Sequence, residues 1–173
     1  MVSSRGPCPS LRDRALMWLA QREHSRQELA QKLHRWLRLV EQSAPAGTDA
    51  EPTEPAALAA EVDALLNALQ LDGSLSDQRF VESRVNARIS RYGNRRIEQE
   101  LRRYGVDLEA QLRAQLQLTE ADRARRVWNA KFGCPAADDS ARVRQMRFLA
   151  GRGFSADVIR RVVSCDEDEG SPP

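Results

Sequence analysis

The chain has 173 residues, a formal net charge of +2, 41% hydrophobic residues and only 5% aromatic ones. The length fits about one domain, while the thin apolar and aromatic content suits small helical units better than one thick sandwich, and the rarity of period-2 alternation predicts almost no sheet. Stretches rich in Ala, Leu, Arg, Glu and Gln favour helix, so the expected fold class is all-α.

Residues 1–9 are polar and carry two prolines, which reads as a disordered arm. Ser10 can cap a helix running to about Gln21, with Leu16, Leu19 and Ala20 inward. Ser25 and Glu28 have the spacing of a capping box and open a helix with Leu29, Leu33, Trp36 and Leu37 on one face. Residues 41–55 hold no apolar anchor and read as a low-complexity linker. Pro55 suits the first position of the next helix, whose inward residues are Leu58, Val62, Leu65, Leu66 and Leu69, and Asp72 and Gly73 stop it.

Ser76 caps the following helix, with Phe80, Val81, Val85 and Ile89 inward and Gly93 as its end. A short helix over 94–104 then buries Ile97, Leu101 and Tyr104 at i, i+4, i+7. Gly105 ends it, and Asp107 caps a helix bearing Leu108, Leu112 and Leu116. Thr119 caps another, with Ala124, Val127, Trp128 and Phe132. A helix with Val143, Met146 and Leu149 runs to Gly151 or Gly153. Ser155 caps the last, with Val158, Ile159 and Val162. Residues 164–173 read as an acidic disordered tail.

The reading gives three tandem three-helix repeats, at residues 10–72, 74–118 and 119–163, in an elongated, curved arrangement. One self-similarity supports it. Leu101, Gly105 and Val106 recur as Leu149, Gly153 and Phe154, each an apolar residue, a glycine four later and another apolar residue.

Candidates for chemistry are few. The two histidines, His24 and His34, stand near no ligand-spaced cysteine, so no metal is expected. Cys8, Cys134 and Cys165 are odd in number, widely spaced and in no CxxC arrangement, and read as reduced thiols. The glycines sit singly at helix ends and not in a phosphate loop. Asp138 and Asp139 read as a helix cap. No nucleophile setting is recognisable, so an enzyme, a cofactor and a catalytic residue are not expected. The helix beginning at Ser25 could be a helix-turn-helix recognition helix, but it lacks a base-reading cluster in its first turn. The absence of a long apolar run or a signal-peptide core points to a cytoplasmic protein without a membrane partner.

Charge is uneven. Of the 27 basic residues only Lys32 and Lys131 are lysines. Residues 79–103 carry eight arginines against Glu82, Glu98 and Glu100, and residues 142–161 carry six against Asp157. Such faces can meet a polyanion although the chain is near neutral. On the 94–104 helix, Arg95 and Arg102 share one stripe and Arg96 and Arg103 another. Glu98 stands within reach of the first pair and Glu100 of the second, but two glutamates cannot neutralise four arginines. The candidate partner-facing residues are therefore Arg88, Arg91, Arg95, Arg96, Arg102 and Arg103, then Arg142, Arg144, Arg147 and Arg152, acting by charge-assisted contact.

The stretch RFVESRVNARISRYGNRRIEQELRRYGVD (residues 79–107) resembles the middle repeat of the RecX regulatory family. ALMWLAQREHSRQELAQKL (residues 15–33) is similar to the family's first repeat. Lys131, Phe132 and Gly133, with Arg147, Phe148 and Leu149 and then Arg152, Gly153 and Phe154, match the third. The likeness covers about residues 11–163. It departs at Asn94, where the family carries proline and asparagine offers an alternative cap, and in the long linker at 41–55.

The resemblance implies a non-enzymatic modulator of the RecA recombinase. Such proteins bind in the groove of the RecA–DNA filament, suppress ATP hydrolysis, strand exchange and co-protease activity, and bind single- and double-stranded DNA weakly. A monomer is expected. Two other readings stay open at this point: a general helical DNA-binding protein that competes for DNA, and a protein-only adaptor.

Overall fold

A reciprocal cap starts the chain's helices. Ser10 Oγ accepts the Asp13 N–H at 3.1 Å, and the Asp13 carboxylate accepts the Ser10 N–H at 3.3 Å. This computed structural model describes residues 9–42 and 54–164. The expected arm up to residue 8, the body of the linker (43–53), the tail from 165, and Cys8 and Cys165 lie outside the described residues. Among the described residues there are nine helices and no strand.

The chain divides into two compact units, Met1–Phe80 and Val81–Pro173. The first holds α1 (Leu11–Leu19), α2 (Arg26–Gln42) and α3 (Pro55–Leu71). Its core is Ala15, Leu29, Leu33, Val62, Leu66 and Leu69, closed by Leu75. Ala15 is the buried residue of α1, and Ala20, expected inward, is exposed. Pro55 stands at the head of α3, and Gly73 (φ +76°) follows its end.

The segment between α1 and α2 is tied by polar groups. Ser25 Oγ accepts the Glu28 N–H at 3.1 Å, and the Glu28 carboxylate takes the Arg22 guanidinium. His24 is 1% exposed. Its Nδ1 donates to the Arg22 carbonyl at 2.9 Å, which leaves Nε2 as acceptor for Lys32 Nζ at 3.0 Å. Lys32 lies 4.4 Å from the centre of the Trp18 ring, and Arg14 lies 5.0 Å from it. Burial, more than the neighbouring positive charges, lowers the His24 pKa, and burial likewise lowers that of Lys32. The Arg, Ser, Glu and Lys of the first-repeat motif thus have local structural work.

A fourth helix, α4 (Asp77–Arg88), spans the division between the units. Ser76 Oγ accepts the Arg79 N–H at 3.2 Å, as a cap should. The rest of the second unit is α5 (Asn94–Arg103), α6 (Ala110–Leu118), α7 (Glu120–Lys131), α8 (Asp139–Gly151) and α9 (Ala156–Ser164). The last three helices pack around Ala124, Trp128, Leu149, Phe154, Ile159 and Val162. The turn after α5 and the turn after α8 have the same geometry. Val106 N–H donates to the Leu101 carbonyl and Gly105 N–H to that of Arg102. Phe154 N–H donates to Leu149 and Gly153 N–H to Ala150. Both are Schellman caps, with the glycines at φ +72° and +83°. The recurring Leu–Gly–apolar pattern is therefore one turn used twice.

Several caps differ from expectation. Gly93 does not end α4, which stops at Arg88. It precedes α5 with φ −78°, a conformation open to any residue. Asn94 is not a cap but the first residue of α5, and it is buried. Asp107 does not cap α6, which begins at Ala110 after Glu109; Val106 and Leu108, both buried, lie in the extended segment before it. Thr119 Oγ1 donates back to the Gln115 and Leu116 carbonyls and does not cap α7. In α8, Val143 is exposed, and Gln145, not a hydrophobe, is buried beside Leu149, its Oε1 accepting the Trp128 Nε1–H at 3.0 Å. Asp138 caps α8, as expected, accepting from the Ala141 N–H. Cys134 is a free, exposed thiol.

Candidate arginine-lined interface

Helix α5 is short and almost wholly polar on one side, so its position depends on what grips its ends. The grip at its start is backbone on backbone. Gly93 N–H donates to the Arg152 carbonyl at 2.9 Å, and Arg95 N–H donates to that of Gly153 at 3.2 Å. A Cβ on Gly93 would lie 2.4 Å from the carbonyl carbon and oxygen of Gly153 and from Phe154 Cα. A Cβ on Gly153 would lie 2.5 Å from Arg96 Cβ. Both glycines are needed for this approach, and Gly153 also for its positive φ.

A buried cation completes the junction. Arg123 of α7 is 3% exposed. Its Nη1 donates to the Tyr92 carbonyl at 2.9 Å, and its Nη2 donates to Asn94 Oδ1 at 2.5 Å and the Leu116 carbonyl at 2.8 Å. Glu120, also buried, accepts the Asn94 N–H at 2.9 Å. Burial lowers the Arg123 pKa from its ordinary value, and the Glu120 charge opposes this. Nothing in the sequence reading singled out Glu120 or Arg123. The available signal was position, since Arg123 falls on the inward face with Ala124, Val127 and Trp128.

The glutamates of α5 are drawn away from its arginines. Glu100 was expected to meet Arg96 and Arg103. Instead it holds Arg88 of α4, with Nε–Oε2 at 3.0 Å and Nη2–Oε1 at 3.2 Å, and lies 3.6 Å from Arg84. Two long side chains from a packed neighbour outcompete the local i,i+4 geometry. These hydrogen bonds, and then the charge of Glu100, raise the Arg88 pKa. Arg84 also lies over the Tyr104 ring at 4.9 Å. Glu98 takes Arg113 of α6 at 3.2 Å and reaches Arg102 at 3.9 Å. Arg95, its other expected partner, has no side-chain partner among the described residues.

Of the ten arginines singled out, Arg95, Arg96 and Arg102 meet in one cleft of about 530 Å³ between α5 and the end of α8. Arg96 Nη1 donates to the Gly151 carbonyl at 3.1 Å, and its guanidinium lies 4.6 Å from the Tyr92 ring centre. Arg102 is 66% exposed and makes only long contacts, to Glu98 and, at 3.5 Å, to Asp107. Arg91 and Arg152 line a second cleft, on the α7 side. Arg88 is committed to Glu100. Arg103, Arg144 and Arg147 are exposed without a side-chain partner among the described residues, and Arg142 reaches Ser164 Oγ at 3.2 Å. None of these last four lines either cleft. No helix among the described residues is long and apolar enough to cross a membrane.

Comparison with known proteins gives a consistent result. Residues 76–111 match the model of the second three-helix domain of RecX, and residues 119–163 that of the third. The chain is 41% identical over 161 residues to the regulatory protein RecX of Herminiimonas arsenicoxydans, covering 92% of this chain and 94% of the relative. It is 42% identical over 170 residues to that of Leptothrix cholodnii, covering 97% and 96%. The crystal structure of RecX from Lactobacillus salivarius superposes with a TM-score of 0.63 at 14% identity, covering 91% of this chain and 94% of that one, which shows the shared fold. On identity of this extent over nearly its whole length, the chain belongs to the RecX family of regulatory proteins.

Proposed function

We propose that this protein binds the RecA–DNA nucleoprotein filament and inhibits the recombinase, without itself catalysing a reaction. The relatives are named regulatory proteins, and the RecX resemblance supplies the filament as the target. The observation that carries the reading is electrostatic. Both glutamates of α5 are engaged by arginines of other helices, and Arg95 and Arg102 are left exposed at the mouth of one cleft. Exposed, under-compensated guanidinium groups on a rigid helix suit a carboxylate- or phosphate-bearing surface. In this reading Arg88 positions α5 through Glu100 and does not face the partner.

The test adds the protein to active recombinase filaments and follows ATP turnover. Inhibition is expected, and it should weaken in Arg95→Glu/Arg102→Glu with helicity unchanged. Turnover, strand exchange and filament length that stay constant at saturating protein would refute the proposal. Inhibition that vanishes when DNA is in excess would instead indicate competition for DNA.

A further inference from the structure

The second cleft has a different chemistry from the first. It has a volume of about 540 Å³ and lies between the α4–α5 corner and the outer faces of α7 and α8. Four of its lining residues are cations, Arg91, Arg126, Lys131 and Arg152, and no carboxylate lines it. The α5 cleft, in contrast, includes Glu98. Two aromatic rings, Tyr92 and Phe148, complete the lining.

One ring carries a cation of this cleft. Arg152 lies 4.7 Å from the Phe148 ring centre, and its Nη1 donates to the Arg91 carbonyl at 3.2 Å. Phe148 is itself braced edge-on by Phe132, with centroids 5.3 Å apart at 86°. The Arg152 guanidinium is thereby held over the ring and by one hydrogen bond, and its other donors can meet a ligand. Arg91 and Lys131 are exposed and have no side-chain partner among the described residues. Arg126 is exposed too, its Nε making one long 3.4 Å contact to the Asp122 carbonyl of its own helix. The motif residues Lys131 and Phe148, which the α5 cleft does not use, converge here.

We infer that this cleft binds single-stranded nucleic acid: Arg91, Arg126 and Lys131 take backbone phosphates, and an unpaired base stacks on the Arg152 guanidinium that lies over Phe148. Cations with stacked planar groups, and no acid, are the features of a single-strand groove. An acidic peptide would satisfy the cations but leave the planar layer unused. The inference deepens the filament reading by giving the DNA strand a surface separate from the α5 cleft. It is tested without recombinase, so the two can fail independently.

The experiment is fluorescence anisotropy of the full chain with a labelled 20-nucleotide oligothymidylate across a salt series. Each phosphate contact contributes about 0.7 to the slope of log affinity against log salt. Arg126→Gln/Lys131→Gln should therefore flatten the slope by about 1.4. Arg95→Gln/Arg102→Gln, in the other cleft, should leave it unchanged. An abasic strand of equal length should bind at least about fivefold more weakly, since stacking contributes about 1 kcal/mol or more per base. As a second readout, an iodouridine-substituted strand should photocrosslink to Tyr92 or Phe148, mapped by mass spectrometry. Three results would each overturn the inference: no binding of the oligonucleotide by the wild-type chain, a wild-type slope in Arg126→Gln/Lys131→Gln, or equal affinity for the abasic strand.

Discussion

Replacing Gly93 by alanine tests whether the backbone contact between Gly93 and Gly153 holds the second unit together. The φ of Gly93 is −78°, so alanine meets no conformational penalty of its own. The added Cβ lies 2.4 Å from three backbone atoms of Gly153 and Phe154, where ordinary contact begins near 3.4 Å. The two backbone segments must separate by about 1 Å, and backbone cannot rotate aside as a side chain can. Overpacking of this kind costs about 1–3 kcal/mol. The 2.9 Å and 3.2 Å hydrogen bonds that cross the junction stretch beyond useful length, at about 1 kcal/mol each. Reduced freedom of the unfolded chain returns about 0.4–1 kcal/mol. The net expectation is a loss of about 2–5 kcal/mol. In a unit of this size each kcal/mol lowers Tm by about 4–8 °C. Urea unfolding followed by circular dichroism measures it, with Gly73→Ala as control. Gly73 has φ +76° but open space around it, so alanine there costs only about 1–2 kcal/mol of left-handed strain. If Gly93→Ala stays within about 0.5 kcal/mol of wild type, steric exclusion at the junction is refuted.

Arg123→Met should destabilise the second unit by about 3 kcal/mol or more, because Glu120 is left buried beside unpaired Asn94 and Tyr92 groups; a urea midpoint equal to wild type would contradict this. His24 is held neutral, so its folded pKa lies below 6.5. Its contribution is complete above pH 6.5 and is lost as pH falls through the lowered value, because the unfolded chain then binds the extra proton. The urea midpoint of the first unit should fall between pH 7.5 and 5, and His24→Gln should reduce that dependence. Removing the Arg88 side chain as Arg88→Ala leaves Glu100 only its 3.6 Å contact with Arg84 and should cost about 1–2 kcal/mol by thermal melting, as for a half-buried charged hydrogen bond.

The helices and their cores were largely legible, since each buries a stripe of period 3.6. The two Schellman turns were legible too, because Leu101, Gly105 and Val106 repeat locally as Leu149, Gly153 and Phe154. What sequence could not show was contact across long separations. Gly93 looks like a helix stop because its true constraint, Gly153, lies 60 positions away. Glu100 looks like a partner of its own helix because the reach of Arg84 and Arg88 depends on how α4 packs. The arginine excess on and around α5 was readable, but the sorting of these arginines between two clefts was not. That sorting follows from Arg96 turning to Gly151 and Tyr92, while Arg91 and Arg152 turn to the other side of the glycine junction.

The joint at Thr119 has a consequence for how the sequence can change in length. Leu118 ends one helix and Glu120 begins the next, so there is no slack between them. One inserted residue within the first turn of α7 would turn Arg123 by about 100° about the helix axis and shift it about 1.5 Å along it. The guanidinium would leave the Tyr92 and Leu116 carbonyls together. Substitutions at Thr119 change a hydroxyl; insertions beside it change the register of everything downstream. The second unit should therefore tolerate exchange of residue type at this point far better than gain or loss of a single residue, and an insertion scan through residues 117–122 should show a sharp minimum there.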